Sequence, residues 1–256
     1  MKLKVSKKTT TTFIAAIIGA YVAGALAYKF QIFPFDLQTR RAVGMKIRPL
    51  FKSNQKLEDL CPTVGKRKLD SIVFASKLNN IDNIFWGDSA VAGMHDSRLY
   101  GAKNFADVAQ NGQVVYCALQ EVDYVTSLNP KRVIIYLGGN DADGATSYGP
   151  DKAIEYYSLI VNKLQENGID VIIHQIHKAS SSRDQAFVKK FNSGILKIGQ
   201  EKDLLVLPPL DELAFDDDKT TIEASKSNDY TYDGEHLKPA GYKLWIEAIQ
   251  AKVPDF

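Results

Sequence analysis

A serine that follows a short apolar run is the first candidate for chemistry in this chain. Ser89 lies in the stretch NIDNIFWGDSAVAG, after the run NIFW and before an alanine-containing segment typical of a helix start. A serine at this place either caps the helix, by accepting an amide hydrogen of the first turn, or attacks an acyl carbon as a nucleophile. A nucleophile needs three partners: a base, a group that orients the base, and hydrogen-bond donors for the oxyanion.

Four histidines are candidates for the base, and their positions favour His236. His174 and His177 lie in an apolar run, which predicts buried core or strand-end side chains rather than a metal pair. His95 lies six residues beyond the serine and would project to a different side of a helix. His236 lies just before a predicted helix and three residues after Asp233, so a single turn would let this carboxylate orient the imidazole.

Donors for an oxyanion are predicted in three loops. Gly112 offers a backbone N–H without a side chain, at the start of a predicted helix whose dipole favours negative charge. Asn140 offers a side-chain amide, and Ser89 offers its own N–H. We interpret the neighbouring carboxylates of Asp88 and Asp141 as loop-shaping groups, because the mechanism requires neither.

These loops follow apolar runs that predict buried strands: NIFW, FADVA, RVIIYL, DVIIHQI and DLLVLPPL. Amphipathic spacing predicts a helix over Asp151–Glu166, closed by Asn167-Gly168, and a final helix that opens at Pro239. The alternation predicts a parallel sheet of about five strands covered on both faces, a three-layer α/β/α sandwich. Ligands bind such sheets at the carboxyl ends of the strands, where these loops lie.

The motifs GDS at residues 87–89, a glycine at 112, GGND at 138–141 and DGEH at 233–236 together resemble the SGNH, or GDSL-type, hydrolase superfamily. The family is named for Ser, Gly, Asn and His, and the chain supplies Ser89, Gly112, Asn140 and His236 in that order. The resemblance covers the chain from about Ile81 onward. It implies a flavodoxin-like fold, a serine ester hydrolase that forms an acyl-enzyme, and no metal or organic cofactor.

Two other functions stay open beside the hydrolase. Members of this superfamily in the cell envelope also transfer acyl groups with the same serine, and the sequence does not show whether water or a sugar hydroxyl reaches the intermediate. A non-catalytic envelope binding module with the same fold is the third, although binding alone would not require Ser89, Asn140, Asp233 and His236 together. The expected substrate is a small-molecule, glycan or lipid ester, with an O-acetyl or short acyl group.

The N-terminus carries a membrane-directed segment. Four lysines precede an uncharged, mostly apolar stretch, Phe13–Tyr28. We favour an uncleaved signal anchor over a cleaved signal peptide because the apolar character persists to Lys29, although Ala25-Leu26-Ala27 resembles a cleavage site. The predicted organisation is therefore an anchor or signal over residues 1–30, a connecting region over 31–78 and a hydrolase domain over 79–256. Either alternative exports the domain, which would be anchored at the outer face of the membrane or secreted.

Charge and cysteine content add two constraints. The net charge of +2, with basic residues spread along the chain, argues against a nucleic-acid partner. Cys61 and Cys117 are the only cysteines, and both a disulfide and two buried thiols are compatible with the sequence.

Overall fold

The computed structural model describes residues 61, 82–93, 105–177, 183–210, 230, 232 and 236–253. All of them lie within one compact unit, Pro49–Phe256. The predicted membrane segment and both predicted domain boundaries fall outside the described residues. Among the helices that the structure does describe, none combines the length and apolar character needed to cross a membrane.

Five parallel strands form the predicted sheet, in the order β2-β1-β3-β4-β5. The strands are β1 Asn83–Gly87, β2 Phe105–Ala109, β3 Arg132–Tyr136, β4 Asp170–His174 and β5 Val206–Leu207. The run DLLVLPPL contributes only the two residues of β5. Pro208 and Pro209 follow immediately, and because they have no N–H to donate, the ladder cannot continue through them.

Six helices connect or follow these strands in the described part of the chain. They are α1 Ser89–Ala92, α2 Val115–Ser127, α3 Gly139–Ala142, α4 Pro150–Glu166, α5 Gln185–Glu201 and α6 Pro239–Lys252. Both predicted helices are confirmed. α4 begins with its proline at the first turn and ends at Glu166, with Asn167 as the C-cap residue, and Gly168 then adopts a φ of 72°.

Helices cover both faces of the sheet, so the three-layer sandwich is confirmed. Because side chains alternate along a strand, Phe85 and Tyr136 project to one face, where the Trp245 ring of α6 packs edge-on with both at 5.2 Å. α4 and α5 contact β4 and each other, with the Tyr157 ring edge-on to Phe191 at 5.7 Å. The strand order reverses at β1, and the right-handed crossover rule for parallel strands then places α4 and α5 on the face opposite α6.

The two histidines of the apolar run are buried, as predicted. His174 accepts a hydrogen bond from Trp245 Nε1 at 2.9 Å and lies within 2.9 Å of the Gln175 carbonyl oxygen through Nδ1. His177 follows the end of β4, and its Nδ1 is hydrogen-bonded to the Tyr136 hydroxyl. Burial lowers the pKa of His174 to about 4 and keeps the pKa of His177 well below its usual value. Both rings are therefore neutral at pH 7.

Candidate active site

The serine of the GDS motif begins α1 but does not cap it. Asp88 is the N-cap, and its Oδ1 accepts a hydrogen bond from the Ala90 N–H at 3.0 Å. Of the two alternatives for Ser89, the structure therefore does not support the capping role. Because the preceding carboxylate fills that role, the Ser89 hydroxyl is available for another partner, and its N–H is one of the first-turn amides without an acceptor inside the helix.

The partner of the serine is the predicted base. The Oγ of Ser89 lies 3.0 Å from Nε2 of His236, and both side chains are half-buried. Two contacts hold the histidine in place: the Tyr232 N–H donates to the His236 carbonyl at 2.8 Å, and the Tyr242 hydroxyl of α6 donates to the Ala90 carbonyl of α1 at 2.8 Å. The second contact ties the helix that follows the histidine to the helix that carries the serine.

Asp233, the predicted orienting acid, lies outside the described residues, as does His95. Its role therefore remains a prediction. The described geometry fits the general-base arrangement, in which the neutral imidazole accepts the serine proton at Nε2 and leaves Nδ1–H for an orienting group.

The two glycines of GGND bring Asn140 to the loop that carries the serine. Gly138 adopts a φ of 113°, which side chains disfavour. A Cβ at Gly139 would lie 3.0 Å from both Asp88 Oδ2 and Arg183 Nη2, so a side chain here would displace these groups. α3 can therefore begin close to the end of β1.

The Asn140 amide lies between the serine loop and the glycine loop. Its Nδ2 donates to the Gln113 carbonyl at 3.1 Å and to Asp88 Oδ2 at 3.4 Å. Gln113 directly follows Gly112, so the shorter bond ties Asn140 to the loop of the predicted third donor. The longer and weaker contact with Asp88 is the one that a substrate oxyanion could replace.

Gly112 lies in a turn and not at a helix start. The Gln113 N–H donates to the Gln110 carbonyl at 3.0 Å, and Gly112 has a φ of 76°, as in the third residue of a type II turn. α2 begins three residues later, so the predicted help from its dipole is weaker than expected. A Cβ on this glycine would meet no atom within 4 Å, so backbone conformation and not close packing accounts for the glycine.

Asp141 shapes the loops, as predicted. Its side chain is buried, and its Oδ2 accepts a hydrogen bond from the Val115 N–H of α2 at 3.1 Å. Burial raises the pKa of Asp141 to about 6, although hydrogen bonds from Tyr148 and Val115 partly oppose that effect. The carboxylate thus joins the GGND turn to the start of the next helix.

Arg183 is a residue of the site that the sequence did not indicate. Its buried guanidinium donates to the His177 carbonyl at 2.9 Å and contacts the Asp143 carboxylate at 3.4 Å. The same group lies over Gly139 beside Asp88. Arg183 belongs to no motif and reaches the site from the segment before α5, so no local signal marks it. It places one positive charge near the carboxylates of Asp88 and Asp143.

These residues together can carry out acyl transfer to water. A hydroxyl lies within hydrogen-bond distance of an imidazole, and an amide donor lies next to the serine loop. Among the described residues, no group of three His, Cys, Asp or Glu side chains is placed to hold a metal ion.

The sequence matches the GDSL-like Lipase/Acylhydrolase family over residues 85–244, which is more than half of the chain. The chain belongs to this family. As a GDSL-like acylhydrolase it is an ester-hydrolysing enzyme, and the match spans the serine, the asparagine and the histidine of the site. No curated protein matches the chain.

Solved structures share the fold of this GDSL-like acylhydrolase. A GDSL-like lipase from Bacteroides thetaiotaomicron is 19% identical with a TM-score of 0.60, over 74% of this chain and 96% of that one. A putative acylhydrolase from Bacteroides fragilis is 19% identical with a TM-score of 0.60, over 73% and 95%. An acetyl xylan esterase is 19% identical with a TM-score of 0.53, over 67% and 99%. At these identities the likeness shows the fold alone.

Proposed function

We propose that this enzyme hydrolyses O-acetyl or other short acyl esters of a small molecule, a glycan or a lipid through an acyl-enzyme on Ser89. The observation that carries the proposal is the 3.0 Å contact between Ser89 Oγ and His236 Nε2, with the Asn140 amide beside the serine loop. Similarity in fold to an acetyl xylan esterase is compatible with an acetylated glycan as substrate.

In this mechanism His236 removes the proton from Ser89 as the oxygen attacks the ester carbonyl. The Ser89 N–H, the Gly112 N–H and the Asn140 side chain stabilise the oxyanion, and Asp233 orients the imidazole. His236 then gives the proton to the leaving alcohol. Water enters, loses its proton to the same imidazole and releases the acid, so that the serine is restored.

Replacing the nucleophile tests the proposal directly. The full-length chain is assayed with 4-nitrophenyl acetate, and Ser89→Ala should lower kcat at least about a thousandfold. Ser193→Ala is the matched control, because that exposed hydroxyl on α5 only donates to the Lys189 carbonyl at 2.9 Å. Equal rates for Ser89→Ala and Ser193→Ala, or no turnover by the unmodified enzyme across acyl chain lengths, would contradict the hydrolase. Product analysis with a sugar acceptor would detect acyl transfer in place of hydrolysis.

We further propose that the catalytic domain is exported and held at the membrane by the N-terminal segment. The Cys61–Cys117 disulfide supports export, because disulfides persist mainly in oxidising compartments. A reporter that is active only outside the cytoplasm, fused after Phe256, should be active in cells. A silent reporter, beside an active cytoplasmic reporter at the same position, would overturn this topology.

A further inference from the structure

α2 begins without a cap of its own. Its N-cap residue is Val114, which has no side-chain hydrogen-bonding group, so the first amides of the helix need acceptors from elsewhere. Two side chains from the segment after β3 supply them. Asp141 Oδ2 accepts from the Val115 N–H at 3.1 Å, and the Tyr148 hydroxyl accepts from the Tyr116 N–H at 3.2 Å.

The two acceptors are also bonded to each other. The Tyr148 hydroxyl donates to Asp141 Oδ1 at 2.5 Å, so one phenol both accepts from a helix amide and donates to the carboxylate. Burial, and then the neighbouring charge of Asp141, raise the pKa of Tyr148, which keeps the phenol protonated and able to donate. Charge-assisted bonds of this kind are among the stronger ones in proteins.

The phenol ring is held in place by packing. Tyr148 lies edge-on to Tyr156 of α4 at 5.4 Å between ring centroids, and Tyr156 in turn packs against Tyr116 at 5.3 Å. Packing within this cluster of three tyrosines therefore fixes the position of the hydroxyl.

This bridge joins the two segments that carry the predicted oxyanion donors. Asn140 is the neighbour of Asp141, and Gly112 lies in the turn that leads into α2. The Asn140 amide itself donates to the Gln113 carbonyl at 3.1 Å. Three hydrogen bonds therefore set the spacing between the asparagine and the glycine: those accepted by Asp141, by Tyr148 and by the Gln113 carbonyl. Tyr148 forms one of them and also donates to the carboxylate that forms another.

We propose that Tyr148 is a positioning residue for the oxyanion hole: its hydroxyl, shared between Asp141 and the Tyr116 N–H, sets the placement of Asn140 relative to Gly112. The inference rests on the proposed ester hydrolysis. Because a misplaced donor weakens stabilisation of the transition state more than binding of the substrate, the loss of this hydroxyl lowers kcat and leaves KM nearly unchanged.

Tyr148→Phe in the full-length enzyme removes only the hydroxyl, and Tyr157→Phe is its matched control. The Tyr157 hydroxyl is fully buried and donates to the Ile135 carbonyl at 3.3 Å, in the sheet core and not at the site. With 4-nitrophenyl acetate, we expect Tyr148→Phe to lower kcat about tenfold with KM within about twofold, and Tyr157→Phe to leave both unchanged. Equal kcat for the two variants, or a change confined to KM, would overturn the proposal.

A double-mutant cycle separates positioning from a general structural role. In the Asn140→Ala background, Tyr148→Phe should cost almost nothing further, because the donor that the bridge places is already gone. If Tyr148→Phe lowers kcat by the same factor in the Asn140→Ala background as in the unmodified enzyme, the proposal is refuted. Asp141→Asn breaks the same bridge from its other side and should also lower kcat, which keeps the test decisive if Tyr148→Phe does not fold.

The two levels of the hypothesis fail in different ways. An unmodified enzyme without turnover would overturn the proposed hydrolysis and this inference with it. An active enzyme in which Tyr148→Phe matches Tyr157→Phe would overturn the role of Tyr148 alone.

Discussion

The buried imidazole of His174 makes the stability of the fold depend on pH. The ring is fully buried, Nε2 accepts from Trp245 Nε1, and Nδ1 donates to the Gln175 carbonyl. Burial lowers its pKa from 6.5 to about 4, because the charged form would lie in the core without water. Protonation would also place a second donor against the Trp245 N–H.

The sign follows from comparing the folded and unfolded chains. At pH 7 the imidazole of His174 is mostly neutral in both the folded and the unfolded chain, so nearly all of its contribution to stability is present. As the pH falls below 6.5, the imidazole of His174 binds a proton in the unfolded chain, whereas in the folded chain it stays neutral until about pH 4. The folded state is therefore destabilised over this pH range. Linkage between these two pKa values gives a loss of about 2.5 kcal/mol near pH 4.5.

The buried carboxyl group of Asp141 changes the stability of the fold with pH in the opposite direction. Its folded pKa is raised from 3.8 to about 6, so the folded chain binds a proton before the unfolded chain does, and stability rises as the pH falls through this window. The same linkage gives a gain of about 2 kcal/mol near pH 4.5. The two effects nearly cancel in the unmodified protein, so each must be measured as a difference between the protein and a variant.

The assay is urea unfolding at about pH 7 and about pH 4.5. For His174→Gln, whose amide oxygen can still accept from Trp245, the stability advantage of the unmodified protein should shrink by about 2.5 kcal/mol at the lower pH. For Asp141→Asn the advantage should instead grow by about 2 kcal/mol. An advantage over His174→Gln that is the same at both pH values would refute the assignment of a neutral, buried imidazole.

Two further predictions concern stability. The Cys61–Cys117 disulfide joins cysteines 56 positions apart, so its reduction should lower the free energy of unfolding by about 4 kcal/mol. In the control variant Cys61→Ser, a reductant should not change the free energy of unfolding. A loss below about 1 kcal/mol in the unmodified protein would contradict the loop-entropy argument. Arg183→Met removes a buried cation from Asp143 and should cost about 3 kcal/mol in urea unfolding. Lys190→Met is the control, because both side chains of its pair with Asp151 are exposed, and it should cost less than about 1 kcal/mol. Similar costs for the two variants would refute the buried-pair reasoning.

The sequence was sufficient to predict where Ser89, Asn140 and His236 lie along the fold. Ser89 and Asn140 each follow a buried apolar run, and parallel strands bring their carboxyl ends to one edge of the sheet. His236 was selected by its place before the last helix, and it lies 3.0 Å from the serine. These predictions rest on periodicity and chain order, which are visible without coordinates.

The cap of α1 could not be predicted from the sequence. Asp88 and Ser89 are adjacent and both are good capping residues, so local propensity does not choose between them. In the folded chain Asp88 caps the helix, and the Ser89 hydroxyl lies against His236, which is 147 residues away in the sequence. The short β5 shows a similar limit: Pro208 and Pro209 mark its end in the sequence, but the apolar run does not reveal that the ladder begins only at Val206.

The sequence by itself determined the order of strands and helices and the residue types at each strand exit, because hydrophobic periodicity and turn chemistry are local properties. Only the tertiary structure decided which polar groups support those residues. Tyr148 reaches α2 because Val114 cannot cap it, and Arg183 reaches Gly139 because that residue has no side chain. Each of these contacts gives a hydrogen-bond or charge partner to a group that packing has removed from water. Buried groups need such partners only once the chain is folded, so the sequence alone does not reveal them.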